Sequence, residues 1–289
     1  MAPVPVWAKL VAVLVATATV PWTILMVLAG AVALTWTNAA TDRTTTFAVG
    51  AAPRLHIEGT MGQVIIEAGQ DGRVVVQDRQ SANAMTRGLA VWVLRRTAVQ
   101  TDRAGDTIRI DQMNSDFQSL GFSGEPVVTV RVPVHTDLEI RDASVLVQGI
   151  DGTVTYEGDQ LVQLRNVILR GASTITTTTA PLELSNVTIA GATKVSGGLG
   201  TIHFDGSLAP GGSSLDIRSH NFVTIALPKP TDAHAVVTGA LSADPVWGFV
   251  TGPSDPRERW TADLGPDPKG TVTVESDGGL IEFDVKVAP

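Results

Sequence analysis

The sequence predicts an all-β fold: a single-stranded β-solenoid, or β-helix, with coils of about 20 residues, preceded by one N-terminal transmembrane helix. Three observations predict it. Leu138-Glu139-Ile140, Val162-Gln163-Leu164, Leu182-Glu183-Leu184, Ile202-His203-Phe204 and Val223-Thr224-Ile225 are apolar-polar-apolar triplets whose starts lie 24, 20, 20 and 21 residues apart. A second apolar column, Val154, Ile175, Val195 and Leu215, advances by 21, 20 and 20. Finally, Leu10 to Thr41 contains no charged residue.

The N-terminal elements come first. Residues 1–9 predict a short cytosolic N-terminus, and residues 10–36 a membrane span of about 40 Å as a helix, more than the hydrocarbon core requires. Trp7 and Trp36 flank the span as interfacial indoles do. Lys9 against Arg43 orients it with the bulk of the chain outside the cytoplasm. A cleaved signal peptide is the alternative, with Ala31-Val32-Ala33 or Asn38-Ala39-Ala40 as the cleavage signal. Residues 37–54 are Thr/Ala-rich and are expected to be a linker.

From residue 55 to 285 the pattern predicts one extracytoplasmic β domain. Leu55-His56-Ile57, Val64-Ile65-Ile66 and Val74-Val75-Val76 are short strands separated by glycine turns. Ser81 to Gly88 has some helical character, and Leu89 to Leu94 is expected to be a strand, as is Thr107 to Ile110. Asp111 to Glu125 is expected to loop out. Val127 to Val132 alternates and stops at Pro133, which leads into the repeats. Beyond them, Ala235 to Val237 suggests a weak strand. Residues 242–269 hold Pro245, Pro253, Pro256, Pro266 and Pro268 and are expected to form a capping loop, since proline cannot donate to a ladder. Asp277-Gly278-Gly279 suggests a closing hairpin.

Composition narrows the function. With 44% hydrophobic but only 5% aromatic residues, the core is built from small aliphatic side chains. Against 29 acidic residues stand 21 basic ones, a net charge of −8, which argues against a nucleic-acid partner. The chain has no cysteine, so disulfides, thiol catalysis and thiolate metal sites are excluded.

The order of the pieces matters more than any one of them. Val132-Pro133, Asp137-Leu138-Glu139-Ile140, Gly149-Ile150-Asp151-Gly152, Ile225-Ala226-Leu227-Pro228 and Asp277-Gly278-Gly279-Leu280-Ile281 follow one another along the chain. In this the chain resembles the bacterial "putative adhesin" family, a β-strand-repeat domain of unknown function, over about Leu55 to Val285. The resemblance implies an exported or membrane-anchored β-solenoid, in some members linked to cell-envelope stress systems. It implies no catalytic residue. The proline-rich segment from Asp244 to Lys269 departs from the plainest form of the pattern.

Candidate sites are few. Asp142, Asn166, Asn186 and Gly206 each follow a triplet by two residues and are expected to form a structural corner ladder, because these residue types accept a left-handed backbone. Trp247, Phe249 and Trp260 are aromatics that either stack on sugar or cap the end of the sheet. For a carbohydrate-active enzyme the available groups are Asp142, Arg165, Arg170, Asp205, Asp216 and Arg218, but the eleven residues between Asp205 and Asp216 predict different faces. His56, His135, His203, His220 and His234 have no ligand spacing, and Asp151, Glu157 and Asp159 lack that of a calcium loop, so no metal, cofactor or catalytic residue is assigned.

The function expected is a non-catalytic, single-pass cell-membrane protein that presents a surface for adhesion or binding. Its partners would be the lipid bilayer together with cell-wall polymer or other envelope proteins. The alternatives are a carbohydrate-active enzyme and a regulatory partner of an envelope-stress system.

Overall fold

A computed structural model describes residues 37–59, 62–84, 86–96, 99–112, 127–251 and 258–286. The expected membrane span, residues 10–36, and most of the expected loop from Asp111 to Glu125 lie outside the described residues. Among those described, no helix is long and apolar enough to cross a membrane.

In chain order the elements are β1 (Thr37–Ala48), β2 (Arg54–Glu58), β3 (Gln63–Ala68), β4 (Arg73–Ala84) and α1 (Arg87–Arg96). Next come β5 (Val99–Ala104), β6 (Thr107–Gln112), β7 (Val127–Val132), β8 (Asp137–Arg141), β9 (Ser144–Gln148), β10 (Asp151–Gly152) and β11 (Val154–Gly158). The repeat region continues with β12 (Val162–Arg165), β13 (Ile168–Leu169), β14 (Ala172–Thr177), β15 (Leu182–Ile189), β16 (Ala192–Gly197), β17 (Ile202–Leu208), β18 (Ser214–Ser219) and β19 (Val223–Leu227). The chain ends with β20 (Ala233–Ala243), β21 (Val250–Thr251), β22 (Arg259–Asp263) and β23 (Gly270–Val285).

The all-β expectation agrees with a chain that is 66% strand, but the single-stranded solenoid does not. Eighteen strands of mixed direction form a nearly closed, barrel-shaped sheet. The triplets do lie on neighbouring parallel strands, with Val162 opposite Leu182, Leu182 opposite Ile202 and Ile202 opposite Val223. A period of twenty specifies that register. It does not specify how a sheet closes, and antiparallel pairing of β4 with β7, β5 with β6, and β22 with both β20 and β21 breaks the uniform stacking.

Alternation within each strand divides inside from outside. Val154 and Tyr156 of β11, Ile175 of β14, Val195 of β16 and Leu215 and Ile217 of β18 are buried together with Leu164, Leu184 and Phe204 of β12, β15 and β17. Burial pushes the Tyr156 phenol up to about 12, and its hydroxyl accepts from the Gln160 amide at 3.2 Å.

Three local expectations are corrected. The Thr/Ala-rich linker is in part strand β1, since threonine suits a pleated surface. The closing hairpin is instead one continuous strand: the first half of β23 pairs with β18 and the second with β19, so Asp277-Gly278-Gly279 passes between two partners without reversing the chain. The proline-rich segment contributes β21 and β22 between its prolines.

The chain forms two compact units. The strands above belong mainly to the larger. In the smaller, the apolar run Leu89 to Leu94 is helix and not strand. Thr86 caps it, its hydroxyl accepting the Leu89 amide at 3.2 Å. Ala90, Val93 and Leu94, at helical spacing, bury against Ala82 and Ala84.

Candidate functional site

The outer face of one strand series in the larger unit carries two unbroken polar rows. Pairing of β6, β2, β8, β11, β14, β16, β18 and β23 aligns Arg109, His56, Glu139, Thr155, Thr174, Lys194, Asp216 and Thr273 in one row. Two residues further along each strand, the same pairings align Asp111, Glu58, Arg141, Glu157, Thr176, Ser196, Arg218 and Glu275. Seven steps at ~4.8 Å give each row a length of about 34 Å along the sheet.

The chemistry changes along these rows. At the β6 end, Arg109 contacts Asp111 at 2.8 Å and Glu58 at 3.0 Å, and Arg141 contacts Glu139 at 3.1 Å. His56 lies between Glu58 and Glu139, at 3.4 and 3.5 Å. In the middle Thr155 and Thr174 are exposed, and Thr176 and Ser196 are half-buried. Each hydroxyl there can donate one hydrogen bond and accept two. Beyond them Arg218 approaches Asp216 at 3.6 Å. The result is a cluster of four hydroxyls centred on β14, the one strand with a hydroxyl in both rows, with Glu157 beside Thr155 on β11 and Lys194 beside Ser196 on β16.

Asp205 and Asp216 lie in different strand series: Asp216 is opposite Lys194 and Thr273, and Asp205 is opposite Ser185 and Ala226. Asp205 pairs with Lys286 at 2.9 Å. Arg165 of β12 sits beside Gln148 and Ser185, in the same series as Asp205. Asp151, nearly buried, takes both Arg170 Nε and Nη2, and His135 lies 3.4 Å away. The Arg170 guanidinium holds the Asp151 carboxyl below the usual aspartate value. His203 points outward, exposed, beside Glu183 and Thr224. Among the described residues no group of three or more His, Asp or Glu side chains is arranged to hold a metal.

No known protein-family model matches the chain, and no curated protein matches it. Solved bacterial structures do. A "putative cell adhesion protein" from Clostridium sporogenes is 12% identical, with a TM-score of 0.34 over 85% of this chain and 100% of that one. A "putative adhesin" from Bacteroides fragilis is 14% identical, with a TM-score of 0.36 over 84% of this chain and 97% of that one. Another from Parabacteroides distasonis is 10% identical, with a TM-score of 0.39 over the same shares. At these scores the likeness is loose and carries no argument.

The corner residues divide by geometry. Asp142, Asn166 and Asn186 have φ of 49°, 54° and 54°. Asn186 Nδ2 donates to Asn166 Oδ1 at 2.7 Å, and Lys286 Nζ donates to Asn186 Oδ1 at 3.3 Å. Gly206 differs. It lies within β17, and what it supplies is space: a Cβ there would stand 2.1 Å from the Val187 carbonyl oxygen and 2.6 Å from the Phe204 ring.

The aromatic group faces inward. Trp247 is 3% exposed and meets Phe283 edge-on at 5.7 Å; Phe249 meets the same ring at 5.1 Å. Phe249 and Trp260 are partly buried against the core. Trp247 therefore offers no open ring face to a sugar; Trp247 and Phe249 pack on Phe283, and Trp260 packs against the core.

The two polar rows were missed in the sequence. Two of the eight positions in each row depend on β2 and β6 joining strands far away in the chain, and no local pattern announces that pairing.

Proposed function

We propose that this chain is a non-catalytic cell-envelope protein whose outer sheet face binds a hydroxylated polymer, such as cell-wall polysaccharide. The observation that carries this reading is the double row centred on Thr155, Thr174, Thr176 and Ser196. In-register strands present neutral donors and acceptors at regular spacing, and a polymer can meet several at once without a deep pocket. Individually weak hydrogen bonds then sum through multivalency. The neighbouring charges add orientation more than affinity, because exposed ion pairs contribute little. A carbohydrate-active enzyme would need two carboxylates of unequal proton affinity across a groove. Of the aspartates considered for that role, Asp205 and Asp216 each lie beside a cation.

The test incubates the full chain with insoluble and soluble cell-wall polysaccharides and measures both retention and release of reducing ends. Retention without release supports the reading. Release of new reducing ends by the wild-type chain, or no retention on any polymer, overturns it.

A further inference from the structure

We infer that α1 is a membrane-contact element whose exposed side meets the headgroup layer of an anionic phospholipid surface. The helix is divided into two sides. Ala90, Val93 and Leu94 bury against Ala82 and Ala84, which leaves Leu89 36% and Trp92 38% exposed. Around them Arg87, Gly88, Val91, Trp92 and Arg95 line a shallow, open groove. The helix sequence Arg87-Gly-Leu-Ala-Val-Trp-Val-Leu-Arg-Arg96 contains no acidic residue, in a chain whose net charge is −8. Most acidic groups thus lie elsewhere, and this side of the helix is apolar, aromatic and cationic together.

That combination matches the boundary between lipid headgroups and acyl chains. An indole settles there with its ring in the apolar zone, leucine adds buried area, and flanking arginines meet phosphate. In water alone the exposed part of Leu89 and Trp92 stays hydrated, and a headgroup layer would take up that apolar area. Location supports the assignment independently. Ala39 packs against the cluster formed by Ala82, Ala84, Ala90, Val93 and Leu94. Ala39 itself belongs to the uncharged sequence from Leu10 to Thr41, so the most apolar stretch of the chain leads directly into the unit that carries α1. The inference rests on the envelope reading only in that lipid must be within reach.

The chain has no cysteine, which makes single-site labelling clean. Leu89→Cys, Trp92→Cys and, on the outer sheet face, Thr155→Cys would each be spin-labelled in the full chain. Each is mixed with vesicles of phosphatidylcholine alone or with phosphatidylglycerol, and vesicle association is read by flotation. Accessibility to dissolved oxygen and to an aqueous nickel chelate then reports depth. On anionic vesicles the labels at 89 and 92 should gain oxygen access and lose nickel access, and the label at 155 should stay aqueous. Arg87→Gln with Arg95→Gln should cut the protected population about tenfold or more. If the chain floats while 89 and 92 stay as nickel-accessible as 155, the inference is overturned and the polymer-binding reading is untouched. If the chain floats with neither lipid, the inference is overturned and localisation at the membrane falls with it.

Discussion

Asn186 donates a 2.7 Å hydrogen bond from its side-chain amide to the side-chain oxygen of Asn166, twenty residues earlier in the chain. Both residues hold a left-handed backbone, with φ of 54° each. A non-glycine residue tolerates this only at some cost, and asparagine tolerates it best. Asn186→Ala loses the bond and keeps the strained backbone, so it should destabilise the fold by about 1–2 kcal/mol. Asn186→Gly loses the bond and relieves the backbone, and should cost less. Urea denaturation of both variants checks the order; equal losses would remove the backbone from the account.

Gly206 responds to a different constraint. Gly206→Ala would drive a methyl group into the Val187 carbonyl oxygen and the Phe204 ring, both closer than atoms can approach. We expect a loss of about 3 kcal/mol or more, the upper range for overpacking a core. Thermal unfolding measures it, and a loss similar to that of an exposed substitution would show that β17 can move aside.

Asp151 ties stability to acid pH. Its carboxyl is held below the ordinary aspartate value by Arg170, so the folded state keeps the charged form. The resulting stability is complete above the unfolded value of 3.8 and is lost as pH falls through the lower folded value. Asp151→Asn should lower the denaturant midpoint at neutral pH and flatten its dependence below pH 4. An unchanged acid limb in the variant would contradict the assignment.

Asp78 acts in the opposite sense. Burial raises its carboxyl above 3.8, although the Val99 amide and Gln80 donate to it. The folded state therefore holds the proton longer than the unfolded chain, and this group's contribution declines as pH rises from 3.8 through the folded value. Asp78→Asn should remove that decline and match or exceed the wild type at neutral pH. Chemical denaturation across that range decides it; a less stable variant at neutral pH would mean the charge is solvated.

Sequence spacing made the register of the strands legible, and little beyond it. Val162, Leu182 and Ile202 are neighbours because a fixed interval and an apolar alternation together leave few other pairings. Closure was not legible. It depends on the antiparallel partners of β7, β6 and β20. The tight Gly105-Asp106 turn marks the β5–β6 pair, but β4 reaches its antiparallel partner β7 only across α1, β5 and β6, and no local turn signal joins them. The run Leu89 to Leu94 was misleading because a short apolar stretch fits strand and helix equally. What decides it is Thr86 at the cap and two alanines in β4, small enough to admit a helix face. Asp277-Gly278-Gly279 has hairpin chemistry, yet each flank finds a parallel partner, β18 or β19, whose pairing outweighs a local reversal. In the corner column Asp142, Asn166 and Asn186 hold a left-handed backbone, but glycine serves both turns and close approach, and at Gly206 it serves the second. The polar double row is a property of eight strands at once, so no single segment of sequence contains it.

The hydroxyl cluster can be tested by placing bulk and charge within it. Thr174→Arg would interrupt the cluster, and Thr224→Arg, on the other strand series beside His203, serves as the control. Equilibrium binding of the full chain to cell-wall polysaccharide, measured for the wild type and both variants, addresses the central claim most directly. The account predicts that Thr174→Arg weakens binding about tenfold or more while Thr224→Arg leaves it unchanged. Equal affinities for all three, or a loss confined to Thr224→Arg, would contradict it.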